Sequence, residues 1–199
     1  MMNKRDFCRL SLLGMGAWVF STQASALEYY PTRTDKKWAV LFSTWCGSSR
    51  DAGVWISEGM NGVANVFDVR ENPDLAAYEN IIIGGSIRSG KVSGELQDYL
   101  HQNKSLLSGK IRGLFVVCGN RMQPPTDQQT SDLIDNHLAL LCGAGKVSTK
   151  VFLGRITYGL MDEESRKMIE GYNMPEYDNL KRSECMAFGK ELLKSTHTK

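Results

Sequence analysis

A short apolar run gives way to hydroxyl groups and a single glycine in the stretch Trp38-Ala39-Val40-Leu41-Phe42-Ser43-Thr44-Trp45-Cys46-Gly47-Ser48-Ser49. The apolar part has the length and composition of a buried β-strand, and a helical pattern over 49–60 follows at once. A strand that enters a helix through such a loop places free backbone N–H groups and short hydroxyls around one point. The stretch therefore predicts a strand, a binding loop and a helix in direct succession.

The loop over 43–49 has the donors that a phosphate monoester needs. A helix N-terminus attracts anions, the hydroxyls add donors, and Gly47 lets the backbone approach a ligand closely. The loop contains no lysine or arginine and lacks the Gly-x-x-x-x-Gly-Lys-Ser/Thr pattern, which favours flavin mononucleotide (FMN) over ATP. A capped turn that begins a helix for local reasons is the alternative. The candidate binding residues here are Ser43, Thr44, Trp45, Cys46, Gly47, Ser48 and Ser49.

Strands and helices alternate along the rest of the chain. Strands are predicted over 38–44, 63–69, 80–84, 112–118 and 147–153, and helices over 49–60, 95–107, 130–141, 161–172 and 180–193. The unbroken run Ile81-Ile82-Ile83 is typical of a strand buried on both faces of a parallel sheet. The fold class is therefore α/β, with one doubly wound domain over 38–195, a five-stranded parallel sheet and helices on both faces.

Three further loops follow predicted strands, over 84–94, 118–126 and 154–161, at the sheet edge where such folds bind ligands. The first offers backbone amides and a guanidinium to a planar ring, and its candidate residues are Ser86, Ile87, Arg88, Ser89 and Gly90. The second faces the other side of that ring with Gly119, Asn120 and Arg121, and Met122 is expected to shield it. A mobile surface turn is the alternative for the first of these loops.

Composition narrows the class of protein. Of 199 residues 42% are apolar, which suits a globular core. The sequence has 24 basic and 22 acidic side chains, of which three basic and one acidic lie in residues 1–26. The rest of the chain therefore has 21 of each and no net charge, which excludes a nucleic-acid binder. The remaining cysteines (Cys46, Cys118, Cys142 and Cys185) have no metal-binding spacing, and no metal is expected. Disulfides and buried thiols both stay open for them. The three histidines are expected to pack or to face solvent.

Residues 1–26 have the pattern of an export signal. Asn3-Lys4-Arg5-Asp6-Phe7-Cys8-Arg9 is basic, 10–21 is a short apolar segment, and Ala24-Ser25-Ala26 resembles a cleavage site. The apolar segment is shorter than the roughly 20 residues that span a bilayer. We expect cleavage after Ala26, a periplasmic or otherwise exported chain with no transmembrane span, and an exposed lead-in over 27–37. The signal is twin-arginine-like, with Lys4 replacing the first arginine. A Sec signal or an uncleaved anchor is the alternative.

Two motifs carry a resemblance to a known family. The segment Leu41-Phe42-Ser43-Thr44-x-x-Gly47-Ser48-Ser49-Arg50 resembles the phosphate-binding loop of the flavodoxins, with Ser49 where threonine is usual. It is most similar to the branch that contains the bacterial menaquinone-dependent protoporphyrinogen oxidases. The later segment Ile83-Gly84-Gly85-Ser86-Ile87-Arg88-Ser89-Gly90 is similar to the Ile-Gly-Ala-Ser-Ile-Arg-x-Gly of that branch. The resemblance covers residues 38–120 well and continues more weakly to 158.

The resemblance implies non-covalent FMN, with its phosphate at 44–49 and its ring between 86–90 and 119–122. It implies electron transfer to a redox partner protein or a quinone. A quinone-coupled oxidoreductase of the protoporphyrinogen oxidase type is the enzymatic alternative, and a flavodoxin-like binding module without flavin is the third. Residues 155–175 are acidic where that branch is basic and aromatic, which favours a periplasmic redox role. Cations Arg88, Lys91 and Arg121 predict a less negative potential for full reduction than in acidic flavodoxins.

Overall fold

The structure, a computed structural model, describes residues 37–119 and 122–197, with side chains as far as Ser195. The predicted export signal over 1–26 and residues 27–36 of the lead-in lie outside the described residues, as do Asn120 and Arg121. Five parallel strands form one sheet in the order β2-β1-β3-β4-β5. They are β1 (Trp38–Ser43), β2 (Ala64–Asp68), β3 (Asn80–Ser86), β4 (Ile111–Cys118) and β5 (Ser148–Leu153). The predicted five-stranded parallel sheet is confirmed.

The sheet has one hydrophobic core on each face. Strands β1 and β3 are buried along their whole length, and their register pairs Val40 with Ile82 and Leu41 with Ile83. Because successive side chains of a strand point to opposite faces, the first pair enters one core and the second pair enters the other. This two-sided burial explains why the strands read as continuous apolar runs.

Helices cover both faces of the sheet. They are α1 (Ser48–Gly59), α2 (Gly94–Gln102), α3 (Lys104–Leu107), α4 (Asp127–Leu133), α5 (Leu140–Cys142), α6 (Glu163–Gly171) and α7 (Arg182–His197), with a π-helical segment (Ile134–Ala139) between α4 and α5. Leu96 of α2 and Leu138 of the π-helical segment pack into one core, and Ile56 of α1 and Phe188 of α7 pack into the other. Within the described residues, no helix combines the length and apolar character that crossing a membrane requires.

Helices α1 and α7 meet backbone to backbone through two glycines. A Cβ atom on Gly59 of α1 would lie 2.1 Å from the Met186 carbonyl oxygen, and one on Gly189 of α7 would lie 2.1 Å from the Ile56 carbonyl oxygen. No side chain fits in either place. The two glycines therefore fix how closely α7 approaches the helix that follows the first loop.

The observed boundaries differ from the predicted ones for local reasons. Helix α4 begins at Asp127, earlier than predicted, because Thr126 and Gln129 form a capping box. The predicted helix over 95–107 breaks into α2 and α3 at Asn103, whose side-chain amide donates to the Tyr99 carbonyl oxygen at 3.0 Å. Strand β3 continues to Ser86 because its last residues still pair with β4.

A small excursion leaves the sheet after β5. Strands β6 (Arg155–Ile156) and β7 (Tyr177–Asp178) pair antiparallel as a stem, and the intervening residues 157–176, which we call the cap, contain a 3₁₀ turn (Tyr158–Leu160) and α6. The Asn179 backbone N–H donates to the Gly154 carbonyl oxygen at 3.1 Å and closes the stem. Helix α6 buries none of its residues. Two-residue strands are too short to show alternation, so the stem was not predictable.

Candidate functional site

A cavity of about 390 Å³ lies at the carboxyl end of the parallel strands. Three loops that follow strands form one side of it, and the cap forms the other. The predicted site residues that line it are Trp45, Cys46, Ser48, Ser86, Ile87, Arg88, Ser89, Gly90 and Gly119. The lining residues that sequence reasoning did not propose as site residues are Val117, Cys118, Leu133, Arg155, Ile156, Met161, Asp162, Ser165, Met168, Ile169, Tyr172 and Met174.

The first loop delivers the N-terminus of α1 to this cavity. The Gly47 backbone has φ +83°, which glycine adopts without strain, and its N–H donates to Thr44 Oγ1 at 2.9 Å. Helix α1 begins at Ser48 with no side-chain cap. Its first-turn N–H groups therefore have no side-chain acceptor at the position where Ser48 meets the cavity.

Two predicted site serines lie behind the loop instead of lining the cavity. Ser49 is fully buried, and its hydroxyl shares a hydrogen bond of 2.7 Å with the Ser86 hydroxyl at the end of β3. Ser43 is also buried, and its Oγ has no hydrogen-bond partner among the described residues. Neither serine borders the cavity, and neither do Thr44 and Gly47. Ser49 therefore holds the first and second loops at a fixed spacing.

The second loop is a tight turn. Arg88 and Lys91 exchange backbone hydrogen bonds of 2.9 and 3.1 Å, and the two central residues Ser89 and Gly90 have positive φ. Positive φ at both central positions is the signature of a type I′ turn. The Ile87 N–H also donates to the Val117 carbonyl oxygen at 3.0 Å. The first two bonds close the turn, and the third joins its start to β4.

The end of β4 supplies the floor of the cavity. Gly119 lines it, and its carbonyl oxygen accepts a 2.5 Å hydrogen bond from the Tyr177 hydroxyl of the stem. The expectation that Met122 shields this site is wrong, because its side chain is 56% exposed and does not line the cavity. Three other methionines, Met161, Met168 and Met174, take that position from the cap.

The cap presents an apolar wall to the three loops. Met161, Met168, Ile169 and Tyr172 lie along or beside α6, and Met174 follows it. Most other side chains of α6 are charged, so these apolar residues form the one stripe by which the helix meets the cavity. That stripe is visible in the sequence, but only the fold shows which surface it faces.

Three charged side chains line the cavity within the described residues: Arg88, Arg155 and Asp162. Arg88 lies 3.9 Å from Asp162 and 3.4 Å from Glu164, at the N-terminus of α6. The Ser165 backbone N–H and hydroxyl, both 2.7 Å away, hold the pKa of Asp162 below its usual range. Lys91 does not line the cavity. The cations expected near the ring are thus partly offset by acids of the cap.

Comparisons with known proteins agree with this architecture. Residues 39–181 match the family model of the flavodoxin domain. Flavodoxin 1 from Bacillus cereus is 18% identical with a TM-score of 0.53, covering 80% of this chain and 98% of its own. A WrbA-like flavodoxin from Agrobacterium tumefaciens is 12% identical with a TM-score of 0.50, and the match covers 80% of this chain and 96% of that one.

A larger protein shares the same fold over part of its length. Rubredoxin oxygen:oxidoreductase from Desulfovibrio gigas is 9% identical with a TM-score of 0.51, and the match covers 97% of this chain and 41% of that one. No curated protein matches by sequence. Because the family model covers well over half of the sequence, this chain belongs to the flavodoxin domain family.

Proposed function

We propose that this protein binds FMN non-covalently and transfers electrons. One observation carries the proposal: the uncapped N-terminus of α1, the turn over 86–90 and Gly119 converge on one cavity at the carboxyl edge of a parallel sheet. That edge is where doubly wound folds bind nucleotides. Bound FMN supplies the redox chemistry, and the chain supplies binding, orientation and local charge.

The residues present fit the chemical parts of FMN. The Ser48 hydroxyl and the first-turn amides of α1 suit a phosphate monoester, because the positive end of a helix dipole stabilises an anion. The hydrogen-bonded turn over 86–90 offers backbone amides to a planar ring, and the methionine-rich cap offers an apolar surface to the other face of the ring. Each wall of the cavity thus matches one end or one face of the same cofactor.

FMN titration tests this proposal. Adding the purified chain to FMN should quench flavin fluorescence at 1:1 stoichiometry, and FMN should raise the thermal midpoint. Replacing Thr44 and Ser48 by alanine should weaken FMN binding, whereas the exposed Ser105→Ala on α3 should leave it unchanged. A chain that binds no FMN would instead support the third hypothesis, a flavodoxin-like binding module without flavin.

A quinone-coupled oxidoreductase is the second candidate. The observation that favours it is the apolar cap wall, since Met168, Ile169 and Tyr172 give an apolar substrate a surface beside the ring. Rapid mixing of the photoreduced protein with a water-soluble quinone distinguishes an electron carrier from a quinone-coupled oxidoreductase. An oxidoreductase shows a rate that saturates with quinone and falls in Met168→Glu, whereas a carrier shows a rate that rises linearly and does not respond to that change.

We also propose that the chain is exported, with cleavage after Ala26. The support is the order of basic, apolar and small residues over 1–26. Fractionation of the source cell type should find a shortened periplasmic form with Leu27 as its first residue. If the signal is of the twin-arginine type, export fails in a strain without the twin-arginine translocase and the flavin is already bound on arrival.

A further inference from the structure

An acidic side chain lies at the N-terminus of α1, where the phosphate of FMN is proposed to bind. Asp51 lies in the first turn of the helix. Its negative charge stabilises the helix dipole when no anion is bound, but it repels a bound phosphate dianion. Its side chain is 21% exposed, so water screens this repulsion incompletely. The first loop itself contains no lysine or arginine over 43–49. A phosphate in this loop therefore needs Asp51 to be neutralised from elsewhere.

Arg155 of the stem occupies that position. Its Nη2 forms an ion pair with Asp51 Oδ2, and the two residues are 104 positions apart in the chain. The Arg155 side chain is 15% exposed and lines the cavity together with Cys46 and Ser48 of the first loop. Its Nε is buried 3.8 Å from Asp178 Oδ2 and makes no hydrogen bond among the described residues. A guanidinium with an unused donor thus borders the loop that carries the helix N-terminus.

The neighbouring Arg50 does not occupy the same place. It donates to the other carboxylate oxygen of Asp51 at 3.2 and 3.1 Å, and its Nη2 lies 3.7 Å from the position of a Cβ on Gly47. Its side chain is, however, 63% exposed and does not line the cavity. Solvent screens an exposed ion pair of this kind, so it contributes little. Of the two arginines that contact Asp51, Arg155 is the one placed to act inside the cavity.

We propose that Arg155 is a positioning residue that makes the site selective for the phosphorylated flavin, by cancelling the charge of Asp51 beside the phosphate loop. This inference rests on the proposed function, since it assumes that the cavity takes FMN. The stem of the cap thus supplies a full positive charge, which the hydroxyls and amides of the loop lack. Riboflavin has the same ring and no phosphate, so its affinity should not depend on this charge pair.

The test compares dissociation constants for FMN and riboflavin, measured by flavin fluorescence on the flavin-free full chain. Arg155→Met should raise the Kd for FMN by about tenfold and leave that for riboflavin nearly unchanged. Asp51→Asn should lower the Kd for FMN, and the double variant should return it close to the wild-type value. Arg182→Met is the matched control, because Arg182 pairs at 2.9 Å with Glu58 near the other end of α1.

Each outcome decides the inference. Equal losses for both flavins in Arg155→Met would show a merely structural role and overturn it, as would no loss for either. If Arg155→Met does not fold, the test rests on Asp51→Asn alone. A ratio of FMN affinity to riboflavin affinity that is the same in Asp51→Asn as in the wild type then overturns the inference. A wild-type chain that binds both flavins equally well refutes phosphate selectivity but keeps flavin binding. A wild-type chain that binds neither flavin refutes the proposed function itself.

Discussion

Ser49 and Ser86 share a buried hydrogen bond of 2.7 Å between their hydroxyls, across 37 positions of the chain. Ser49 lies in the first turn of α1, and Ser86 ends β3. The bond joins the loop proposed to hold the phosphate to the loop proposed to hold the ring. The bond adds to the pairing of Ser43 with Gly85, which already places the two loops side by side.

Removing one hydroxyl of this pair should destabilise the fold. Ser49→Ala leaves the Ser86 hydroxyl without its buried partner, at a cost of about 1–3 kcal/mol in the free energy of unfolding. The double variant Ser49→Ala, Ser86→Ala removes both polar groups and should cost less than the two single changes added together. Urea denaturation of the four proteins measures this coupling. Strict additivity would show that the bond does not form in solution.

Glycine at the contact between α1 and α7 should be irreplaceable. Gly59→Ala places a methyl group 2.1 Å from the Met186 carbonyl oxygen, so the helices must separate, at about 3 kcal/mol or more. Gly94→Ala in the first turn of α2 is the matched control, because nothing lies within 4 Å of an added Cβ there. That control should be neutral or slightly stabilising. Equal thermal midpoints for both variants would contradict the observed close packing.

His137 should make stability depend on pH. Its Nε2 accepts a 3.0 Å hydrogen bond from the Val92 N–H, and burial together with nearby Lys91 lowers the pKa of His137 from 6.5. The unfolded chain binds a proton near pH 6.5 whereas the folded chain binds it at lower pH. Stability is therefore fully present above pH 6.5 and is lost as pH falls through the lowered pKa, by at most about 1.4 kcal/mol per pH unit.

The control for this prediction is His137→Gln. Its side-chain oxygen can still accept the Val92 N–H, but the side chain does not titrate. Urea unfolding at pH 7.5 and at pH 5.5 should show a smaller difference in this variant than in the wild type. An identical difference in both proteins would assign the pH dependence to other groups.

Charge at the mouth of the cavity should set the redox potential of the bound flavin. Arg88→Gln removes a cation and should lower the potential for full reduction, by about 50 mV. Asp162→Asn removes the acid 3.9 Å from Arg88 and should raise the potential. Potentiometric titration of the two FMN-loaded variants measures both shifts. No shift in either variant would place the flavin ring away from this ion pair.

Thiol reactivity should report on the cavity. Cys46 is half-buried and lines the cavity, so FMN should slow its alkylation by iodoacetamide. Cys185 is the internal control, since burial, with Glu184 beside it, raises the pKa of its thiol to about 12. It should stay unmodified until the chain unfolds, whether or not FMN is present. Mass spectrometry of the modified peptides distinguishes the two sites, and an unprotected Cys46 would contradict ligand binding next to the first loop.

The strands and the first two loops could be predicted from the sequence because their signals are local. The β-branched run Ile81-Ile82-Ile83 favours a buried strand, and glycine and serine after such a strand indicate a loop at the sheet edge. The same local reasoning placed Ser43 and Ser49 in the binding site, whereas the structure turns both away from the cavity. A hydroxyl-rich loop shows which residues are available, and the helix rotation decides which of them face the ligand.

The stem and the cap could not be located from the sequence. Arg155 reaches Asp51 only because the chain returns across the sheet after 104 residues, and no spacing rule relates the two. Met122 is predicted to shield the ring because it lies in the loop after a strand, yet it does not line the cavity. The methionines that do line the cavity belong to a helix whose position depends on a two-residue antiparallel stem.

The closed stem makes the cap over 157–176 an exchangeable module. Because the Asn179 N–H and the Gly154 carbonyl oxygen already meet at 3.1 Å, the whole segment begins and ends at nearly one point on the scaffold. Helix α6 buries nothing that the sheet needs. A shorter cap can be grafted between the two stem strands, with Arg155 kept, while both hydrophobic cores stay intact. The apolar wall of the cavity can thus change while the sheet, the first loop and the pair between Arg155 and Asp51 stay the same.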